Sequence, residues 1–300
     1  QFPAPSVKPR PFPKATTNLA ASFPMFNYAH GKSRGNPLGD GSAVMPLKTD
    51  GSTLYDFNFH YTDPKEIVVN GEYPAGHTLI LGKTGTGKTV TVAALLSFAE
   101  RFNPFIFAMD KDKGLEIFIR AIGGTYFALD AGVPTGLNPF QWPDSPRLRD
   151  FLYDLVGSCV RQGHKENTAE ETKQIQMAVD TVMNLDFQHR RMGALLHSIP
   201  PSSEENSLLT RLEIWCGKGR FGWCFDNPSN LFNPDEFFRV GFDLTDTLKT
   251  TYRPTEPLLA CLFYMKNIML DRVAKTRSAL FTVVGEFCLP ASYPTTARFI

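Results

Sequence analysis

Cysteine is scarce in this 300-residue chain, and what there is does not pair. The five cysteines, Cys159, Cys216, Cys224, Cys261 and Cys288, are odd in number, and no two stand as C-x2-C. That excludes a disulfide framework and a structural zinc site, fits a reducing compartment, and predicts buried apolar thiols. The histidines are scattered without metal-ligand spacing, and no G-x-S-x-G elbow is present. No charge-free apolar run reaches the ~18 residues of a membrane span. The best stretch, residues 257–270, is broken by Lys266. Net charge is nearly absent: 31 Lys and Arg against 30 Asp and Glu give +1. That excludes a strongly basic nucleic-acid coat and an acidic tail protein, while leaving room for a local basic groove. Gln1 is not an initiator methionine and no signal-peptide pattern follows it, so the chain is expected to begin inside a longer or a processed protein.

What is present suffices for a real core. Apolar residues make up 42% of the chain, with 25 Phe, which excludes wholesale disorder and allows one large domain or two modest ones.

Eight of the 23 prolines fall in the first fifty residues, with a positive balance of charge. Proline extends neither a helix nor a central strand, so residues 1–42 are expected to run as an extended linker. This basic start is also a candidate for contact with nucleic acid or lipid, although aromatic residues are sparse in it. Tyr55, Phe57 and Phe59 alternate with polar residues, a period of two that predicts a strand with one wet face. Gly51 provides a turn, and the stretch from Ala43 to Leu47 is its hairpin partner.

From residue 77 the pattern becomes strand, loop, helix. Thr78, Leu79, Ile80 and Leu81 predict a short strand. Residues 88–102 predict a helix apolar almost all round and hence buried on most sides. Residues 105–109 and 126–129 predict further strands. Between them Asp112 is expected to cap a helix that ends at Gly123 and Gly124. Alternation of this kind implies a parallel sheet covered on both faces. Residues 146–219 read as helix after helix. Strand pattern returns at residues 240–243 and 280–284, on either side of an apolar helix. The predicted class is α/β, with a mostly parallel sheet, helices on both faces and an all-helical insertion. The expected organisation is a linker over 1–42, a first core part over 43–145, the insertion over 146–235, and a second, incomplete core part over 236–300.

One motif carries chemistry. Gly82, Lys83, Thr84, Gly85, Thr86, Gly87, Lys88 and Thr89 match G-x-x-x-x-G-K-[ST] at every defined position, with Val90 next in line. Glycines let successive backbone N–H groups turn inward as an anion nest, and the helix start adds partial positive charge. Lys88 is expected to reach β- and γ-phosphate oxygens, and the Thr89 hydroxyl to ligate Mg²⁺. Such a loop implies nucleotide binding; hydrolysis needs a second, acidic strand end. The candidate is the strand ending at Val284. There Gly285 occupies the first acidic position and Glu286 the second, so Glu286 is the candidate general base. Asp243 is a competing acidic strand terminus. Asp110 ends another strand, with a solvated or capping role as the bland alternative. Gln141, in the turn Asn138-Pro139-Phe140-Gln141, is a candidate to face nucleotide or a neighbouring subunit. Arg211, Arg220 and Arg253 are candidate arginine fingers acting in trans, each set against a structural role.

The succession of segments resembles a known family. The stretches are Asn27-Tyr28 through Gly35-Asn36-Pro37-Leu38-Gly39, Phe57-Asn58-Phe59-His60, and Gly76-His77-Thr78 leading into the loop. Asp110-Lys111-Asp112-Lys113-Gly114, Gly123-Gly124-Thr125-Tyr126 and Pro134-Thr135-Gly136-Leu137-Asn138-Pro139 follow. Later come Arg211-Leu212 with Trp215, Phe225-Asp226-Asn227, and Gly241-Phe242-Asp243-Leu244-Thr245. Together they resemble the CagE/TrbE/VirB family of type IV secretion and conjugation ATPases. The resemblance implies a RecA-like P-loop motor using ATP and Mg²⁺. It also implies a homo-hexamer when intact, lying at the cytoplasmic face of the bacterial inner membrane. Its implied partners are other secretion components there, with a secreted protein or DNA–protein substrate. The sequence departs from the family at Gly285, where an acid is usual. Against that resemblance, the family's large N-terminal domain and its continuation beyond the last strand are expected to fall outside this stretch. Weak hydrolysis is the expectation that follows. A non-hydrolytic nucleotide-binding scaffold and a DNA-translocating coupling-type motor stand as alternatives, the latter to be recognised by salt-dependent DNA affinity.

Overall fold

The computed structural model describes residues 15–17, 29–60, 76–163, 165–202, 204–248, 254–276 and 278–285. The chain divides into two compact units, residues 1–80 and 81–300.

In the first unit the alternating segment forms the expected hairpin. Strands β1 (Met45–Lys48) and β2 (Leu54–Phe57) pair antiparallel, with Met45 opposite Phe57 and Lys48 opposite Leu54. Pairing begins earlier than residue 43. The Asp56 N–H donates to the His30 carbonyl at 2.8 Å, and the Ala43 N–H to the Ser33 carbonyl at 3.2 Å. A chain poor in regular periodicity still satisfies its backbone groups against an available strand edge. Most of the Pro-rich start, residues 1–14 and 18–28, lies outside the described residues.

The second unit is built on a four-stranded sheet in the order β4 (Thr125–Ala128), β5 (Arg239–Asp243), β3 (Phe105–Asp110), β6 (Leu280–Val284), with every pairing parallel. All six residues of β3 are buried. Its odd-numbered side chains, Phe105, Phe107 and Met109, enter the large core; Ile106 and Ala108 enter a smaller core on the opposite face. A continuous apolar run is what a strand covered on both sides requires. The small core is closed by α1 (Lys88–Ala99) and α2 (Glu116–Ala121), through Val92, Ala93, Leu115 and Ile119. The large core takes α3 (Pro146–Val160), α4 (Ala169–Met183), α5 (Leu208–Glu213), α6 (Gly222–Phe225) and α7 (Thr255–Thr276). Four cysteines, Cys159, Cys216, Cys224 and Cys261, are buried free thiols; Cys288 lies outside the described residues.

The helix starts follow from side-chain oxygens. Ser145 accepts from the Leu148 N–H at 3.1 Å, ahead of Pro146 in the first turn of α3. Thr168 and Glu171 form a reciprocal capping box on α4.

Three expectations fail. The apolar tetrad at residues 78–81 is not a strand, and Leu79 and Leu81 are 75% and 82% exposed. Among the described residues no ladder takes its backbone, and β-propensity expresses itself only where a neighbouring strand offers one. Helix α1 buries only Leu95, Leu96 and Ala99, leaving Val90 and Phe98 exposed, because the described residues pack against one side of it. Asp112 does not cap α2. It sits at φ 57° with its N–H donated to Thr245 Oγ1 at 2.7 Å, and the helix starts at Glu116.

Candidate functional site

The phosphate-loop motif stands at the N-terminus of α1, and its glycines are used as the chemistry requires. Gly85 and Gly87 adopt φ 82° and 87°, left-handed values that only glycine holds without strain. A Cβ on Gly82 would meet Thr86 Oγ1 at 2.6 Å. The Thr86 hydroxyl donates to the Lys83 carbonyl at 2.7 Å, closing the loop. Lys88 folds back over it, its Nζ donating to the carbonyls of Gly82 at 2.9 Å and Lys83 at 3.1 Å. That ammonium is therefore tethered to the loop's own carbonyls while remaining accessible from solvent. No side chain caps α1 and no acid stands in its first turn. Its backbone donors and dipole thus face the space the loop encircles, an arrangement suited to an oxyanion.

The C-terminal ends of the parallel strands contribute acids on the same face. Along β3, Asp110 shares parity with Ile106 and Ala108, which pack toward α1. Asp110 is 6% exposed, so it is not a solvated strand end, but the capping role set beside that reading is present, because the carboxylate takes an N–H at the start of α2. Its Oδ2 accepts the Leu115 N–H at 2.6 Å and the Tyr126 hydroxyl at 3.0 Å. Burial and the neighbouring Asp110 carboxylate together push the Tyr126 phenol far above its ordinary value, so it remains a proton donor. Gly114 separates Asp110 from Thr89. A Cβ there would lie 3.6 Å from Asp110 Oδ1, 3.6 Å from Thr89 Oγ1 and 3.0 Å from Thr89 Cγ2.

Of the other candidates, Gln141 and Arg211 are locked in buried networks. Asp243 ends β5, which lies between β4 and β3, and its Oδ1 accepts from the Thr245 hydroxyl at 2.6 Å. It does not come to the loop through a neighbouring P-loop strand, because residues 78–81 form none. Gln141 is buried: its Nε2 donates to the carbonyls of Phe187 at 3.3 Å and Pro228 at 3.1 Å, and its Oε1 accepts the Asn230 N–H at 2.8 Å. It joins helical block to core, because the 3₁₀ turn at Pro139–Gln141 points it inward. Arg211 is 6% exposed, ion-paired with Glu171 and donating to the Val160 carbonyl at 2.7 Å, so it is a structural clamp and not a finger. Arg220 is exposed, its guanidinium 5.2 Å from the Phe221 ring centroid. Glu286 and Arg253 lie outside the described residues.

Oxygen donors at Thr89 and Asp110 beside the loop suit Mg²⁺, which takes one or two protein ligands when phosphates and water complete its shell. Among the described residues no group of three His, Cys, Asp or Glu is placed to hold a metal by itself. None of the helices among the described residues is long and apolar enough to cross a membrane. The sequence treated Asp110 as a strand end; the alternation Ile106, Ala108, Asp110 was the signal that it faces α1.

Known proteins now give this geometry its context. No family model matches the chain. It is 35% identical over 271 residues to the type IV secretion system protein virB4 of Bartonella henselae, covering 90% of this chain and 32% of the relative. It is 33% identical over 280 residues to the type IV secretion system protein PtlC homolog of Bordetella bronchiseptica, covering 89% of this chain and 33% of that one. The chain thus spans about a third of the length of the curated relatives it matches. Among solved structures, VirB4 of Thermoanaerobacter pseudethanolicus aligns with a TM-score of 0.61. That alignment covers 87% of this chain and 81% of the other at 14% identity, which speaks for the fold. The parallel sheet covered on both faces, with a loop-to-helix phosphate motif beside it, is the α/β P-loop architecture expected from the sequence. Across its matched length, the chain belongs to the VirB4/PtlC family of type IV secretion system proteins.

Proposed function

We propose that this chain is the ATP-binding motor segment of a type IV secretion ATPase, energising assembly of the apparatus and transfer of its substrate. The observation that carries the reading is the loop at residues 82–89: two left-handed glycines, a Lys88 tethered to the loop carbonyls and an uncapped twelve-residue helix behind it. Backbone N–H groups from Gly82 to Val90 hold the phosphates. Lys88 exchanges the Gly82 and Lys83 carbonyls for β- and γ-phosphate oxygens. Thr89 is the protein's hydroxyl ligand to Mg²⁺. The metal, when bound with nucleotide, neutralises charge across those oxygens. Glu286, one residue beyond Gly285, is assigned as the general base.

In this reading residues 43–145 and 236–300 form the NTPase core, 146–235 an inserted helical block and 1–42 a linker. The intact protein works as a hexamer at the cytoplasmic side of the bacterial inner membrane, with other secretion components and a protein or DNA–protein substrate as partners. Gly285, where an acid is usual, slows turnover. A missing electrostatic partner of this kind costs about 3 kcal/mol or more in the transition state, roughly a hundredfold or more in rate. The same glycine favours a second reading, a nucleotide-binding scaffold that does not hydrolyse.

Calorimetry with ATP and ADP, with and without Mg²⁺, tests the binding. Tight association that disappears in Lys88→Ala is the expected result, and no association by a folded sample refutes it. Turnover of Gly285→Asp separates the two readings: a large gain marks a slowed enzyme, and binding without gain marks a scaffold.

A further inference from the structure

The proposed nucleotide site lacks a side chain where β6 ends, because Gly285 stands there. We infer that Asp110, at the end of adjacent β3, supplies the missing metal-side carboxylate, so that Thr89 and Asp110 together hold the cation beside the phosphates. The inference rests on the nucleotide-binding reading above and deepens it.

Four observations converge. Strand parity turns Asp110 toward α1, the helix that begins with the phosphate loop. Asp110 Oδ1 and Thr89 Oγ1 border one gap, kept open because residue 114 has no Cβ: any Cβ there would lie 3.6 Å from each. The hydrogen bonds from Leu115 and Tyr126 both fall on Oδ2, which orients the carboxylate and leaves Oδ1 for a ligand. Finally, Asp110 and Asp243 are register partners at the ends of β3 and β5, 6% and 3% exposed, and no salt bridge among the described residues reaches either. A cation beside Asp110 would supply the positive partner that the described residues do not.

Position 285 is close enough to be replaced in this way. Its N–H donates to the Met109 carbonyl at 2.7 Å, and a Cβ on it would lie 3.7 Å from the Asp110 Cα. A carboxylate at either position reaches the same end of the sheet. Mg²⁺ accepts carboxylate oxygen directly or through a retained water, so an acid displaced by one strand still holds the cation for binding, while the charge missing at position 285 still slows turnover.

The test is calorimetry of ADP binding with and without Mg²⁺, comparing wild type with Asp110→Asn. Asparagine preserves the acceptor for Leu115 and Tyr126 but removes the charge. The expected result is an unchanged Mg²⁺-free affinity with the Mg²⁺ strengthening reduced by about tenfold or more. Full strengthening in the variant overturns the inference while leaving the nucleotide site intact. Folded wild type that binds no ADP overturns the nucleotide reading and this inference with it. A second measurement needs no variant: Fe²⁺ substituted for Mg²⁺, with ADP, ascorbate and peroxide, cuts backbone beside the metal. Cleavage at Asp110–Lys111 as well as near Thr89 supports the assignment, and cleavage confined to the loop refutes it.

Discussion

The Tyr126 hydroxyl donates to Asp110 Oδ2 at 3.0 Å across two strands that do not pair with each other, reaching over β5 through the space left by Gly241. A Cβ on Gly241 would meet the Tyr126 ring at 2.6 Å. The bond decides which oxygen of Asp110 is committed to the fold and which faces Thr89. Tyr126→Phe is expected to destabilise the protein by about 1.5–3 kcal/mol, the range for a hydrogen bond to a charged group. It is also expected to weaken the Mg²⁺ strengthening of ADP binding without abolishing it, since the charge remains. Urea denaturation and calorimetry on the same sample give both numbers.

Lys88 bonds only to loop carbonyls, and its removal leaves the core untouched. Lys88→Ala should shift stability by no more than about 0.5 kcal/mol. ADP affinity should fall by at least about tenfold, as expected for one charge-assisted contact. Equal melting temperatures with lost binding would identify the residue as a ligand group and not a structural one.

Asn227 ties the turn at residues 134–141 to the helical block: its Nδ2 donates to the Leu137 carbonyl at 2.9 Å, inside the core. Asn227→Ala leaves that acceptor buried and unpaired, at a cost of about 1–3 kcal/mol. Because this network is structural, nucleotide affinity measured well below the melting temperature should not change. A selective loss of affinity would return Gln141 and its neighbours to the site.

Glu171 is caught between the α4 cap and the Arg211 guanidinium. Burial alone raises its carboxyl, but the Thr168 N–H and Arg211 outweigh it and hold the group below the ordinary glutamate value. A depressed carboxyl stabilises the fold above its unfolded value and loses that contribution as pH falls through the folded value. Glu171→Gln keeps the capping geometry and removes the charge. It should cost about 1.5–3 kcal/mol near neutrality. The difference from wild type should shrink as the pH falls below about 4.3, the unfolded value. Denaturant midpoints across pH 3 to 7 would show whether the two proteins converge.

The strands at residues 105–110, 125–128, 239–243 and 280–284 were legible within a residue or two, because buried parallel strands are short apolar runs bounded by turns. The turn at the start of α1 was legible, because the left-handed backbone at Gly85 and Gly87 is a local demand that only glycine meets without strain. The segment at residues 78–81 was misread for the complementary reason: nothing in four apolar residues records whether a partner edge is paired to them. Gln141 and Arg211 kept two readings until the fold chose the structural one, because a polar residue looks the same in sequence whether it faces a ligand or closes a buried network.

Legible in the residues alone were a glycine-rich loop at the start of a helix, a run of parallel strands, and the glycine at position 285. Those features are local, set by φ, by side-chain alternation and by spacing along the chain. Which acids come to lie side by side was settled by the fold. The side-by-side placement of Asp110, Asp243 and Gly285 arises from the strand order 4-5-3-6, which joins residues more than a hundred positions apart. Such proximity is fixed by which strands find ladder partners and by which faces bury their apolar side chains, and neither is written in any single segment.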